Sequence, residues 1–129
     1  MLFLDSDIHF PPQPPFFRSP ISILLEQDKD IIGADYNFRQ LPAKSTVIPL
    51  TEKNETEPYK VNALGTGFLL IRLSVFEKIP EPWFQFMRDQ HGEMVNGEDT
   101  FFCQAAIKAG FDVWCDPLVK IKHLGEYEY

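Results

Sequence analysis

Prolines divide this sequence into short segments. Eleven of its 129 residues are proline, well above the average usage of about 5%. Proline lacks a backbone N–H and disrupts helix interiors and central strands. Segment 10–17 (FPPQPPFF) is therefore predicted to be an ordered connection, and Pro80 and Pro82 mark a second one. The helices and strands must be short and must lie between these breaks.

The composition indicates a single globular domain over residues 1–129. The chain is 44% hydrophobic and 24% charged, which excludes a charge-rich disordered protein and a collagen-like repeat. Its net charge of −7 gives no basic surface for nucleic acid and disfavours binding to anionic lipid. No apolar run reaches the roughly 18 residues of a membrane span. Without a signal peptide, we expect a cytoplasmic protein whose Cys103 and Cys115 are buried free thiols.

Strands and helices are predicted to alternate, which favours an α/β fold. Short apolar runs predict strands over residues 1–4, 30–37, 44–50, 68–73, 111–115 and 119–122. Caps and periodic apolar residues predict helices over residues 20–27, 74–78 and 97–109. The first helix is expected to bury Ile21, Leu24 and Leu25. The polar segment 51–60 is predicted to be a mobile loop.

The first candidate for chemistry is Asp5-Ser6-Asp7, which follows the apolar residues 1–4. Ligand sites in open α/β sheets lie beyond the carboxyl ends of strands. Two carboxylates this close repel each other unless a cation lies between them or one is protonated. A hard divalent ion with oxygen ligands would remove that repulsion. The alternative interpretation is a solvated Asp-Ser-Asp turn.

Other residues have both a structural and a functional interpretation. Glu98 and Asp99 begin a predicted helix, where acids favour the helix dipole, although a partly desolvated carboxylate could act as a general base. His123 is either a hydrogen-bonded structural residue or a third metal ligand near Asp7. The turn Gly65-Thr66-Gly67 allows either a tight bend or close approach to a ligand. Trp83 either packs in the core or stacks on a sugar ring.

The order of these motifs resembles the GT-A glycosyltransferases, and most of all their family 2-like group, which uses nucleotide-sugar donors. The resemblance extends over most of the chain, in segments Leu2–Ile8, Asp30–Tyr36, Ala63–Phe76, Gly97–Gly110 and Phe111–Gly125. It implies a mixed sheet flanked by helices. It also implies that the chain is the carboxyl-terminal, metal- and acceptor-binding portion, without the nucleotide-binding βαβ half. The chain would then be a fragment, a truncated gene product or a protein that obtains that half from a partner, and an edge strand at Leu2–Leu4 would be covered by a second copy or an exchanged segment.

The resemblance also implies roles for individual residues. Asp5 and Asp7 would bind Mn²⁺ or Mg²⁺ and the donor, a nucleotide-sugar such as a UDP-sugar, and His123 would complete the metal site. Asp99 would deprotonate the acceptor hydroxyl of a carbohydrate or other acceptor, and Glu98 would hold the acceptor or donor sugar. A larger set would line the sugar and acceptor sites: Gly65, Thr66, Gly67 and Trp83.

Two alternatives remain open from the sequence. A GT-A-like module without catalysis would bind a metal or a partner and release no sugar. A haloacid-dehalogenase-like phosphatase also begins with an apolar strand and Asp-x-Asp. Its nucleophile would be Asp5 and its cofactor Mg²⁺.

Overall fold

The computed structural model describes residues 1–11 and 18–129. Most of the predicted proline-rich connection, residues 12–17, lies outside the described residues. The strands are β1 (Leu2–Leu4), β2 (Ile8–His9), β3 (Ile31–Gly33), β4 (Ile48–Pro49), β5 (Tyr59–Ala63), β6 (Phe68–Ile71), β7 (Met87–Arg88), β8 (Met94–Asn96), β9 (Val113–Cys115) and β10 (Lys122–His123). The helices are α1 (Pro20–Glu26), α2 (Leu73–Lys78) and α3 (Glu98–Lys108).

Six strands form one mixed sheet in the order β1-β6-β3-β9-β5-β4. Strands β3 and β9 pair in parallel, and the other neighbouring pairs are antiparallel. Consequently β1, β3 and β9 run in the same direction. Their carboxyl ends lead into residues 5–7, 34–37 and 116–117 at one side of the sheet, which we call the carboxyl edge. The predicted α/β class is confirmed as a mixed α/β fold with a mixed sheet.

Both faces of the sheet are covered by apolar side chains. Adjacent residues of a strand point to opposite faces, and the central strand β3 places Ile31 in one buried cluster and Ile32 in the other. The first cluster includes Val75 of α2 and Phe102 of α3, and the second includes Leu24 of α1. Strand β3 is therefore buried on both sides, which explains its continuous apolar run.

Two helices begin and end close to their predicted positions. The Ser19 side chain caps α1 by accepting a hydrogen bond from the Ser22 N–H at 3.1 Å, and Pro20 is the first helical residue. Helix α3 follows Gly97 and ends before Gly110, whose φ of +97° suits glycine. The inward face of α1 differs from the prediction. Ile23 and Leu24 are buried, whereas Ile21 and Leu25 are exposed.

Strand β1 occupies the edge position that the resemblance implied for Leu2–Leu4. It lies at the end of the six-stranded sheet and pairs with β6, so only one of its sides is hydrogen bonded within the part of the chain described. Its residues are half-buried or exposed, and Leu4 is 48% exposed. An apolar run of four residues cannot distinguish a central strand from an edge strand.

The sequence interpretation missed β5 and the hairpin formed by β7 and β8. Strand β5 includes the last two residues of the polar segment 51–60. It was missed because exposed Lys60 and half-buried Asn62 alternate with buried Tyr59, Val61 and Ala63, so the strand has no continuous apolar run. The predicted strand over residues 119–122 is replaced by the two-residue β10, which pairs with β2. Short strands with polar outward residues give a weak apolar signal.

Candidate functional site

Tyr36 organises the carboxyl edge. It follows β3, its side chain is buried, and its hydroxyl oxygen accepts a hydrogen bond of 2.8 Å from the Gly67 N–H. A methyl group added to Gly65 or Gly67 would overlap the Tyr36 phenol. The glycines of the Gly65-Thr66-Gly67 turn are therefore explained by close packing on Tyr36, while Thr66 is half-buried beside them. The sugar-flanking role of this turn stays a prediction.

Three of the acids selected from the sequence act on this same phenol. The pKa of Tyr36 is raised above its ordinary value of 10.0, first by burial and then by the negative charges of Asp5, Asp99 and Asp7; the Gly67 hydrogen bond lowers it. Charges perturb a pKa over short distances. The negative charges of Asp5, Asp7 and Asp99 therefore all influence the ionisation of the Tyr36 hydroxyl.

Asp7 and His123 are in direct contact. The distance between Asp7 Oδ2 and His123 Nε2 is 3.2 Å, and the backbone N–H of Leu124 donates to the Asp7 carbonyl at 2.7 Å. Both side chains are largely buried, at 29% and 14% exposure. Pairing of β10 with β2 sets His123 opposite Ile8 and so holds the imidazole beside Asp7. The predicted proximity of His123 to Asp7 is confirmed.

The contact made by His123 Nδ1 limits which atom or ion can lie between His123 Nε2 and Asp7 Oδ2. Nδ1 is 3.2 Å from the carbonyl oxygen of Asn37. A carbonyl and a carboxylate both accept hydrogen bonds, and a neutral imidazole has one N–H to donate. If Nδ1 donates to Asn37, the Nε2 lone pair faces Asp7 Oδ2, which requires a proton or a cation between them. Histidines that bind metals commonly donate their other N–H to a backbone carbonyl.

The residues fit a divalent ion with two protein ligands. Within residues 1–11 and 18–129, no three His, Cys, Asp or Glu side chains are close enough together to hold a metal ion. Asp7 Oδ2 and His123 Nε2, 3.2 Å apart, have the spacing of neighbouring ligands, since bonds of about 2.2 Å at right angles separate two donor atoms by about 3.1 Å. Asp5 is exposed and contributes backbone hydrogen bonds to Gly67 and Ile8.

Arg39 is a functional candidate that the sequence interpretation missed. Its Nη1 is 3.1 Å from Asp7 Oδ2, the same oxygen that faces His123. The repulsion expected within Asp5-Ser6-Asp7 is thus reduced by a guanidinium of the chain itself. No motif marked Arg39, because it lies in a loop after β3 and far from Asp7 in the sequence.

The remaining predicted residues lie in different surroundings. Glu98 is exposed, and Asp99 is half-buried with its Oδ1 2.8 Å from the Thr100 N–H. Trp83 packs on Phe76 with ring centroids 5.0 Å apart, and its indole N–H donates to the Ile79 carbonyl at 3.0 Å. These contacts correspond to the core-packing interpretation of Trp83, and its place in an acceptor groove stays a prediction.

A cleft of about 570 Å³ opens at the carboxyl edge, and Asp7, His123 and Asp99 are not among the residues that line it. Asn37, whose carbonyl contacts His123, lines this cleft. The other lining residues include three tyrosines, Tyr36, Tyr59 and Tyr129, and three lysines, Lys53, Lys120 and Lys122. Lys53 is fixed by Asp35 at 2.7 Å and by the Ser45 hydroxyl at 3.2 Å. Segment 51–60, predicted to be mobile, thereby contributes a positioned wall.

Asp116 and the two cysteine thiols are also buried. Asp116 follows β9 and is fully buried; its Oδ1 accepts from the Leu118 N–H at 2.9 Å, and its Oδ2 has no partner among the described residues. Burial also raises the pKa of Cys103 to about 12 and that of Cys115 to about 11. The predicted buried free thiols are confirmed, and neither is a reactive thiolate at neutral pH.

Comparison with known proteins establishes the fold and no family. No protein-family model matches the sequence, and no curated protein matches it. Among solved structures, the chain is similar to A197 from STIV, with 22% sequence identity and a TM-score of 0.62. The similarity covers 97% of this chain and 57% of A197, so the chain spans a little over half the length of that protein. None of the helices in the described ranges has the length and apolarity needed to cross a membrane.

Proposed function

We propose that this chain is a glycosyltransferase of the GT-A type, or a portion of one, that transfers a sugar from a nucleotide-sugar to an acceptor hydroxyl. The observation that carries the proposal is the contact between Asp7 and His123 at the carboxyl edge, with the Nδ1 atom of His123 at the Asn37 carbonyl. This arrangement is typical of a metal-binding histidine. A donor diphosphate needs a divalent cation, and this pair provides a place for one.

The proposed roles follow from the positions of the side chains. Asp7 and His123 would hold Mn²⁺ or Mg²⁺, which supplies positive charge to stabilise a departing diphosphate. Asp99 lies half-buried in the first turn of α3, and its negative charge, like that of Asp7, raises the pKa of Tyr36. Its carboxylate would accept the proton of the acceptor hydroxyl. Glu98 is exposed beside it and would contact a sugar hydroxyl.

The cleft at the carboxyl edge suits the acceptor. Its volume of about 570 Å³ lies within the usual range of small-molecule sites. The tyrosine rings can pack against sugar rings, and the lysines can bind hydroxyls or an anionic group. A nucleotide-binding half, supplied by a partner or by a second copy, would contact the neighbouring side of the site. The nucleotide-binding half and its partner are therefore proposed for the whole protein.

Calorimetry with Mn²⁺ and UDP tests the metal site. We expect binding of UDP that depends on Mn²⁺ and is lost in Asp7→Ala and His123→Ala. The matched control is Asp112→Ala, which removes an exposed aspartate before β9, at the opposite side of the sheet, that pairs with Lys60 at 3.2 Å. Undiminished binding in Asp7→Ala would contradict the metal site.

Product analysis separates the three candidate functions. We expect sugar release from a UDP-sugar that is lost in Asp99→Asn while Mn²⁺ binding is retained. Binding of Mn²⁺ and UDP without sugar release would favour the non-catalytic module. Turnover of an aryl phosphate that disappears in Asp5→Asn would favour the phosphatase.

A further inference from the structure

Arg39 and His123 converge on one oxygen atom of Asp7. The distances to Asp7 Oδ2 are 3.1 Å from Arg39 Nη1 and 3.2 Å from His123 Nε2. A divalent ion bound by Asp7 and His123 would need the space and the electron pairs of this same oxygen. The guanidinium and the ion would compete for this oxygen, because two cations close to one atom repel each other.

We infer that Arg39 is an exchangeable counter-ion. It pairs with Asp7 when no divalent ion is present, and it moves to the donor diphosphate when the ion takes its place. This inference rests on the proposed function. It goes further by assigning a role to a residue outside the sequence motifs, and by predicting that Mn²⁺ and a diphosphate bind better together than the ion binds alone.

The surroundings of Arg39 allow its side chain to move while its backbone stays fixed. The loop is closed at its base by the bridge between Asn37 and Ser45 and by a 2.8 Å hydrogen bond from the Phe38 N–H to the Lys44 carbonyl. The Arg39 side chain is 53% exposed, so its ion pair contributes little to stability and can be exchanged.

Gly125 provides room for the stem of the arginine. A methyl group added there would be 3.2 Å from Arg39 Cδ, so the stem lies against the segment that follows His123. The guanidinium therefore pairs with Asp7 while its stem lies against Gly125. Once it leaves Asp7, its planar group of donors can bind phosphate oxygens in a bidentate manner. A lysine could provide charge at this position but not that geometry.

The experiment compares two ligands in the same variants. Calorimetry measures binding of Mn²⁺ alone and of Mn²⁺ with inorganic pyrophosphate to the unmodified chain and to Arg39→Gln and Arg39→Lys. In Arg39→Gln we expect Mn²⁺ alone to bind about fivefold more tightly and the combination about fivefold more weakly. Arg39→Lys should restore the weak binding of Mn²⁺ alone, because it restores the charge. Circular dichroism verifies that each variant is folded.

Arg72→Gln is the matched control. Arg72 also forms exposed ion pairs, with Asp28 at 2.8 Å and Asp30 at 3.3 Å, but it follows β6 at the side of the sheet opposite the carboxyl edge. The Arg72→Gln substitution should leave the affinities for Mn²⁺ alone and for Mn²⁺ with pyrophosphate unchanged. Equal affinities for the unmodified chain and Arg39→Gln would overturn the role of Arg39, and tighter binding of both ligands would overturn the transfer to diphosphate. Absence of Mn²⁺ binding in every variant, with and without pyrophosphate, would overturn the proposed metal site and this inference with it.

Discussion

Helix α3 contributes to two regions with different physical character. On its inner side, Phe102 stacks on Phe84 with ring centroids 4.9 Å apart, within a buried aromatic cluster that includes Phe76. At its amino end, α3 carries the half-buried Asp99, whose charge acts on Tyr36 of the carboxyl edge, where Asp7 is held by partly exposed charged groups. The first region is held by burial, which is worth several kcal/mol for each ring. The second is held by ion pairs worth about 1 kcal/mol or less.

This difference means that the aromatic cluster contributes mainly to stability, whereas the carboxyl edge is available for binding. Residues of the aromatic cluster cannot be changed without loss of packing, whereas charged residues at the carboxyl edge can be exchanged at little cost to folding. Substitutions at the carboxyl edge should therefore report on binding, and substitutions in the aromatic cluster should report on stability. The following predictions test this division, starting with the largest effect.

Phe102→Ala should lower the free energy of unfolding by about 3–5 kcal/mol, because Phe102 is fully buried and its removal leaves a cavity in the aromatic cluster. Urea denaturation measures the change. Phe102→Leu keeps most of the volume and should lose less. A loss below about 1 kcal/mol for Phe102→Ala would show that this cluster does not hold α3 on the sheet.

Gly67→Ala should lower the free energy of unfolding by about 1–3 kcal/mol through overpacking. Its new methyl group would lie 2.5 Å from the Tyr36 hydroxyl oxygen and 2.8 Å from Cζ. The same substitution at Gly92, where nothing lies within 4 Å but φ is +80°, measures backbone strain alone. If Tyr36→Phe reduces the cost of Gly67→Ala in a double-mutant cycle, the hydroxyl contact is its cause. An unchanged cost would show that the destabilisation by Gly67→Ala comes from contacts other than the Tyr36 hydroxyl.

Trp83→Phe should reduce stability by about 1 kcal/mol, because it removes the hydrogen bond to the Ile79 carbonyl and part of the contact with Phe76. Binding of Mn²⁺ and UDP should not change, since the indole is engaged in packing. Thermal denaturation and calorimetry on the same sample give both values. A specific loss of acceptor binding would instead show that Trp83 lines the acceptor groove.

Asp7→Asn should change the free energy of unfolding by less than about 1 kcal/mol, because its partner Arg39 is half-exposed. The same variant should abolish binding of Mn²⁺, so the two readouts diverge. Urea denaturation in parallel with calorimetry provides the comparison. A loss of several kcal/mol would mean that Asp7 is a structural residue.

The sequence predicts those parts of the fold that have strong local signals. Ser19-Pro20 and Gly110 mark helix ends through capping and backbone geometry, and both lie where predicted. Asp7 and His123 could be selected as residue types, and their contact followed from the family resemblance. Arg39 and Tyr36 could not be selected, because their importance arises from tertiary contacts. The role of Gly67 likewise depends on a tyrosine that is distant in the sequence.

The contact between His123 and Asp7 spans 116 residues of sequence. Closing such a long loop is entropically unfavourable and occurs only when the intervening strands have paired. Formation of the ligand pair should therefore coincide with completion of folding rather than precede it. A metal ion bound there would join the two ends of the folded chain, and its binding would serve as a kinetic marker for the last step of folding.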